Sequence, residues 1–100
     1  MQPKLNEQQL HLLISALLAL ENEDEAKNLL DDLCTIREMQ DLGQRIEVAR
    51  LLRAQMTYND IAEATGASTA TISRVNRCLM CGSGGYRTIL ERLEKGDKEP

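Results

Sequence analysis

The sequence predicts an all-α protein of about six helices. It is 42% hydrophobic, yet its aromatic residues are two tyrosines, so the core must be built from aliphatic side chains and methionine. The two prolines stand at positions 3 and 100, where neither interrupts a helix. No segment alternates apolar and polar residues for long enough to form a sheet. We therefore expect one helical domain over residues 1–100.

The first helix is expected to begin after Asn6, whose side chain can accept a hydrogen bond from an unpaired amide, and to end near Leu20. Apolar residues occupy almost its whole circumference, whereas a surface helix has one apolar face. In so small a domain we expect a second copy of the chain to bury the apolar surface of this helix. The apolar positions are Leu10, Leu12, Leu13, Ile14, Ala16, Leu17, Leu18 and Leu20.

Three further helices are expected in the middle of the chain. The acidic residues 21–25 would open a second helix, because carboxylates are favourable at a helix N-terminus. Thr35 and Glu38 have the spacing of a capping box and predict the start of a short helix that Gly43 ends or bends. Another helix is predicted from Gln44, with the apolar positions Ile46, Ala49 (or Val48), Leu52 and Met56.

Residues 57–79 have the pattern of a helix-turn-helix, in which two short helices meet at a tight turn that often contains glycine. Thr57 and Ser68 can cap the two helices, and Gly66 lies between them. The second helix would pack through an inner stripe of Ile72, Val75 and Leu79. A glycine-rich turn over residues 81–85 and a last helix with Ile89, Leu90 and Leu93 are expected to follow.

The opposite face of that second helix is a candidate DNA-binding surface. It carries no acidic residue, and the side chains at its N-terminal end are small enough for close approach to a groove. Its arginines can bind guanine edges or phosphates. The alternative is a solvated helical hairpin, although such a face usually mixes Glu and Lys. The candidate residues are Ser68, Thr69, Ala70, Thr71, Ser73, Arg74 and Arg77.

The distribution of charge along the chain supports a DNA-binding surface, although the net charge of the whole chain does not. The formal net charge is −4, which ordinarily counts against a nucleic-acid partner. However, residues 1–43 carry 3 basic and 9 acidic groups, whereas residues 44–92 carry 7 arginines and 4 acidic groups. The half with the helix-turn-helix is therefore mildly basic.

Other kinds of site have weak support. Cys34, Cys78 and Cys81 are an odd number without a signal-peptide pattern, which is typical of a reduced, cytoplasmic protein. Cys78 and Cys81 would need two more ligands to bind zinc, so we expect them to pack at a helix end. His11 has no acid or nucleophile at a useful spacing. We expect no enzyme activity, no cofactor, no metal and no membrane segment.

The sequence resembles the Trp repressor superfamily, and more closely its YerC/YecD-type branch. The resemblance extends from about residue 35 to 93. It rests on residues 41–45 (DLGQR), 57–62 (TYNDIA), 66–74 (GASTATISR) and 82–86 (GSGGY). It implies an all-helical, interwoven homodimer whose helix-turn-helix binds double-stranded operator DNA.

The resemblance also implies a possible effector site. In the Trp repressor a threonine and two arginines hold the tryptophan corepressor, and the matching positions are Thr35, Arg45 and Arg74. An arginine can pair with a carboxylate and stack on a flat ring. Two neighbouring positions differ, because Val75 replaces a glycine and Cys78 replaces a serine. We therefore predict that a small-molecule effector is possible, but that L-tryptophan binds weakly or not at all.

Taken together, these features predict a transcriptional regulator, a repressor, that binds DNA as a dimer. The alternative is a helical dimeric protein-interaction module that uses the same hairpin without binding DNA. Binding to duplex DNA that falls steeply with salt would distinguish the two.

Overall fold

The computed structural model describes residues 4–98. The prediction of an all-α fold is confirmed, because this part of the chain contains six helices and no strand. It forms two compact units, one ending at Met39 and one beginning at Gln40. The helices are α1 (Glu7–Leu18), α2 (Glu23–Leu33), α3 (Ile36–Arg53), α4 (Tyr58–Thr65), α5 (Thr69–Cys81) and α6 (Gly85–Lys98).

The helix starts follow the local capping chemistry. The Asn6 side chain accepts from the Gln9 amide at 2.9 Å, as predicted, and Asn22 caps α2 in the same way. The capping box of α3 is complete. The Glu38 carboxylate accepts from the Thr35 amide at 2.8 Å, and the Thr35 hydroxyl accepts from the Glu38 amide at 3.0 Å.

Gly43 does not end a helix, because α3 runs through it without interruption to Arg53. The alternative prediction, that Gly43 bends the helix, stays a prediction. A glycine inside a helix costs only about 1 kcal/mol relative to alanine, which the helical residues on both sides can offset. Two other predicted limits shift slightly. Helix α1 ends at Leu18 rather than Leu20, and residues 81 and 85 belong to helices rather than to the turn.

The buried core lies entirely in the second unit. Between residues 4 and 39 no side chain is buried, whereas α3 to α6 share one aliphatic cluster. In α3, Leu51 belongs to the core and Ile46 remains 42% exposed, so the predicted apolar stripe of this helix was only partly right. The buried residues are Val48, Ala49, Leu51, Ile61, Ala67, Ile72, Val75 and Leu90.

An ion pair joins α3 to α6 beside this core. Arg53 donates from Nε and Nη2 to the two carboxylate oxygens of Glu94, each at 3.1 Å. Its Nη2 also lies 4.0 Å from Oε1 of Glu91. The hydrogen bond to Glu94 is the largest cause of an Arg53 pKa raised above its ordinary value. The ion pair therefore links the end of α3 to the middle of α6.

The apolar side chains of α1 are largely open to solvent. Leu18 is 82% exposed and Leu12 is 70% exposed, while Leu13, Ile14 and Leu17 lie between 42% and 46%. None of the described helices is long and apolar enough to cross a membrane.

Candidate nucleic-acid interface

Local hydrogen bonds define the helix-turn-helix. The Thr57 hydroxyl accepts from the Asp60 amide at 3.1 Å and caps α4, and the Ser68 hydroxyl accepts from the Thr71 amide at 3.1 Å and caps α5. Between them, Gly66 has φ 75° and donates its amide to the Ala62 carbonyl at 2.9 Å. A left-handed residue at this position is the usual end of a helix before a tight turn, and glycine adopts it without strain.

The inner stripe of α5 packs as the sequence predicts. Ile72 and Val75 are 0% and 1% exposed, and Leu79 packs half-buried against the same cluster. Ile61 of α4 is also fully buried, so the two helices meet through aliphatic contacts. This packing determines which face of α5 remains open.

Most of the predicted DNA-binding residues lie on that open face. Ser68, Thr69, Ala70, Arg74 and Arg77 are exposed, whereas Thr71 and Ser73 are half-buried at its edges. Thr71 is therefore placed to shape the helix start as much as to contact a ligand, since its amide and hydroxyl both bond Ser68.

The arginines of α5 differ from Arg53 and Arg87 in their partners. Arg53 is paired with Glu94, and the Arg87 guanidinium donates to the Leu79 carbonyl at 3.1 Å, where it caps the end of α5. Among the side chains of residues 4–96, neither Arg74 nor Arg77 has a hydrogen-bond or salt-bridge partner. Two solvated guanidinium groups on a face without acid can bind an anion without first breaking a salt bridge.

A cleft of about 330 Å³ lies between α3, α5 and the start of α6. It brings together Arg45 and Arg74, two of the three predicted effector residues. Val75 and Cys78, the positions that differ from the Trp repressor, also line it. The remaining lining residues are Asp41, Gln44, Thr71 and Tyr86.

The third predicted effector residue, Thr35, belongs to the first unit. Its hydroxyl accepts from the Glu38 amide, so its role in the described chain is to cap α3. In the second unit, Asp41, Gln44 and Tyr86 line the cleft, although the sequence did not predict them as effector residues. Helical spacing could have found Asp41, which lies one turn before Arg45 on the same face of α3.

The two cysteines of α5 are exposed rather than packed, contrary to the expectation for this helix end. Gly82, which follows α5, is also exposed, but a side chain there would collide with the carbonyl oxygen of Cys78. A second cleft of about 530 Å³ opens beside this turn and is mainly apolar. Its lining is Ile46, Cys78, residues 82–86, Ile89 and Leu90.

Comparison with known proteins agrees with this arrangement over nearly the whole chain. The chain is 48% identical to protein YerC of Bacillus subtilis over 96 residues, which cover 96% of this chain and 92% of that protein. A crystal structure of a TrpR-like protein from Eubacterium eligens is 54% identical and superposes with a TM-score of 0.84. The match covers 87% of this chain and 90% of the other.

A candidate Trp repressor from Staphylococcus aureus is 46% identical, with a TM-score of 0.83 and 87% of each chain covered. The family model described as Trp repressor protein matches residues 8–94. The helix-turn-helix, its two caps and the cleft beside it all lie inside this range. The chain therefore belongs to the Trp repressor family.

Proposed function

We propose that this protein is a sequence-specific DNA-binding transcriptional regulator, a repressor, that acts as a homodimer in the cytoplasm. The observation that carries the proposal is the open face of α5, where Arg74 and Arg77 are exposed without an acidic partner. On this proposal the protein has no catalytic activity.

The residues of this face have different roles in the proposed complex. Thr69 and Ala70 at the start of α5 are short, so the helix can approach base edges in the major groove. Arg77, almost two turns further along, binds either a phosphate or a guanine. The exposed Ser68 completes the contact surface at the N-terminus of α5, where backbone amides favour an anion.

The exposed leucines of α1 support the proposed dimer. Leu12 and Leu18 are more than two-thirds exposed in the single chain, although both are large apolar residues. Covering them with a second copy removes this apolar surface from water. The two α5 helices of the dimer would then enter successive major grooves, roughly 34 Å apart.

The cleft supports a regulator whose effector differs from tryptophan. Arg45 and Arg74 supply positive charge for a carboxylate, but the Val75 and Cys78 side chains occupy the wall of the cleft. We therefore expect L-tryptophan to bind weakly or not at all, and DNA binding not to require it. The chain contains no tryptophan and two tyrosines, so the fluorescence of an indole ligand can be followed almost without protein background.

Saturable binding of L-tryptophan with sub-millimolar affinity, lost in Arg45→Ala and accompanied by tighter DNA binding, would contradict this expectation. In that case Arg74 would bind the tryptophan corepressor.

Binding to random duplex DNA over a range of salt concentrations tests the function itself. A DNA-binding dimer should bind at low salt and lose affinity steeply as salt rises, with a slope of about −0.9 for each phosphate contact. Folded protein that binds no duplex at low salt would instead support the protein-interaction module.

A further inference from the structure

One hydrogen bond connects the turn of the helix-turn-helix to α3. The Gln44 side chain donates from Nε2 to the Thr65 carbonyl at 3.2 Å, and the bond is partly buried. Thr65 is the last residue of α4, where a carbonyl has no partner within its own helix. Gln44 thus satisfies a polar group that the end of the helix leaves unpaired.

The Thr65 hydroxyl makes two further hydrogen bonds within the turn. Its hydroxyl donates to the Ile61 carbonyl at 2.7 Å and accepts from the Ala67 amide at 3.1 Å. Ala67 is only 5% exposed and directly precedes Ser68, the cap of α5. Hydrogen bonds therefore link α3 through Thr65 to Ala67, the residue directly before the cap of α5.

The other hydrogen bonds of the turn are local. Within the described residues, the amides of Gly66 and Ile72 and the Ser68 hydroxyl all bond to partners three or four positions away. Such bonds hold the turn together but do not fix its position against α3. Ala67 packs in the aliphatic core that the turn shares with α3, and Gln44 adds the directional restraint of a hydrogen bond to that packing. The Gln44 side chain also lines the cleft beside Arg45 and Arg74.

We propose that Gln44 is a positioning residue for DNA recognition, which holds the turn so that α5 meets the groove in register. This inference rests on the proposed function. It distinguishes two kinds of DNA binding, because binding to random sequence depends mainly on the arginine charges. Binding to a specific site also requires base edges to be met in register. Loss of the Gln44 bond should weaken the second and spare the first.

The test compares Gln44→Met with Gln40→Met. Methionine has a similar length and helix propensity but no donor, so the first variant removes the bond and keeps the stem. Gln40 lies one turn earlier on the same helix and is exposed, so the second variant controls for the loss of an amide. Gln44→Lys keeps a donor and should restore the wild-type exchange rates of the turn. It is compared in hydrogen exchange alone, because its added charge would by itself raise the affinity for any duplex.

The first measurement is amide hydrogen exchange without DNA. In Gln44→Met the Gly66 and Ala67 amides should exchange roughly threefold to tenfold faster, the factor expected for one neutral hydrogen bond. The buried Ile72 and Leu90 amides should not change. Unchanged exchange at Gly66 and Ala67, or equal acceleration at all four, would overturn the inference whether or not the protein binds DNA.

The second measurement is the affinity for a selected duplex and for a random duplex. Gln44→Met should lose roughly threefold to tenfold in affinity for the selected site and keep its affinity for random DNA. Equal losses on both duplexes, or no loss on either, would overturn the inference. Failure of the wild type to bind any duplex would refute the proposed function, while hydrogen exchange would still decide the role of Gln44 in the turn.

Discussion

Three described residues of the second unit have a positive φ, and the two glycines among them, Gly66 and Gly84, adopt it without strain. Gly66 has φ 75° at the end of α4, where glycine is the expected residue. Gln55 has φ 65° in the connection from α3 to α4, where its amide bonds the Leu52 carbonyl at 3.0 Å. A side chain in this conformation is strained, since Cβ crowds the backbone.

Replacing Gln55 with glycine should therefore stabilise the protein. We expect the free energy of unfolding to rise by about 0.5–1 kcal/mol, because relief of strain exceeds the entropy that glycine adds to the unfolded chain. Denaturant titration measures the change. A lower free energy of unfolding in Gln55→Gly would show that Gln55 makes a contact more valuable than the strain it carries.

Gly66→Ala is the matched substitution in the opposite direction. A Cβ at Gly66 would meet no neighbouring atom, so the expected loss of about 1–2 kcal/mol comes from the backbone alone. An unchanged free energy of unfolding would mean that the turn can relax.

Arg77 and Thr69 test how individual side chains contribute to recognition. If Arg77 binds phosphate, Arg77→Ala should weaken binding equally on all sequences and reduce the salt slope by about one unit. If it binds guanine, the loss should be roughly 1–3 kcal/mol and confined to one base position. Thr69→Ala should act mainly on specificity. Binding to a series of single-base variants of the site separates these cases.

At this scale, the sequence predicted the residues whose chemistry is local. Asn6, Thr35, Thr57 and Ser68 all cap helices, because the bond joins residues three positions apart. Gln44 was missed, since its partner Thr65 is 21 positions away and a glutamine in a helix has no distinctive local pattern.

Among the helices, α3 shows where local propensity and tertiary packing disagree. We expected a break at Gly43, but α3 continues through it, and Val48, Ala49 and Leu51 of this helix lie in the core. A break would have separated the capping box from the core residues. By contrast, α5 was predicted well, because its stripe, cap and preceding glycine all indicate the same structure.

The continuity of α3 predicts the effect of Gly43→Ala. A Cβ at Gly43 meets no atom of the described chain, so alanine should stabilise the helix by about 0.5–1 kcal/mol. Thermal unfolding monitored by circular dichroism measures the change. A destabilised variant would contradict an open, uninterrupted helix at this position and indicate that another chain packs closely against Gly43.

The whole molecule has one well-formed core and one unit without buried side chains. The second unit buries eight residues, whereas α1 and α2 bury none in the described chain. The sequence predicted a cover for α1 from its apolar circumference. The sequence does not specify which surface packs against α1, because helical periodicity shows which residues are apolar but not what they contact. The dimer and the single domain over residues 1–100 remain predictions.

Leu13→Ala and Leu17→Ala test the proposed dimer. Each side chain is less than half exposed in the single chain, and burial in a dimer would raise the cost of truncation to about 2–5 kcal/mol. Unfolding should also depend more strongly on protein concentration. Analytical ultracentrifugation supplies the direct check, and a wild-type chain that sediments as a stable monomer at micromolar concentration would refute the dimer.

Selection of bound duplexes from a random DNA pool, repeated with Arg74→Ala/Arg77→Ala, tests the central claim most directly. The wild type should enrich a site with two-fold symmetry and half-sites about one helical turn apart, because two α5 helices bind successive major grooves. The double variant should remain folded and enrich nothing. Enrichment of the same site by the double variant, or no enrichment by the wild type at low salt, would contradict the assignment of the α5 face to DNA recognition.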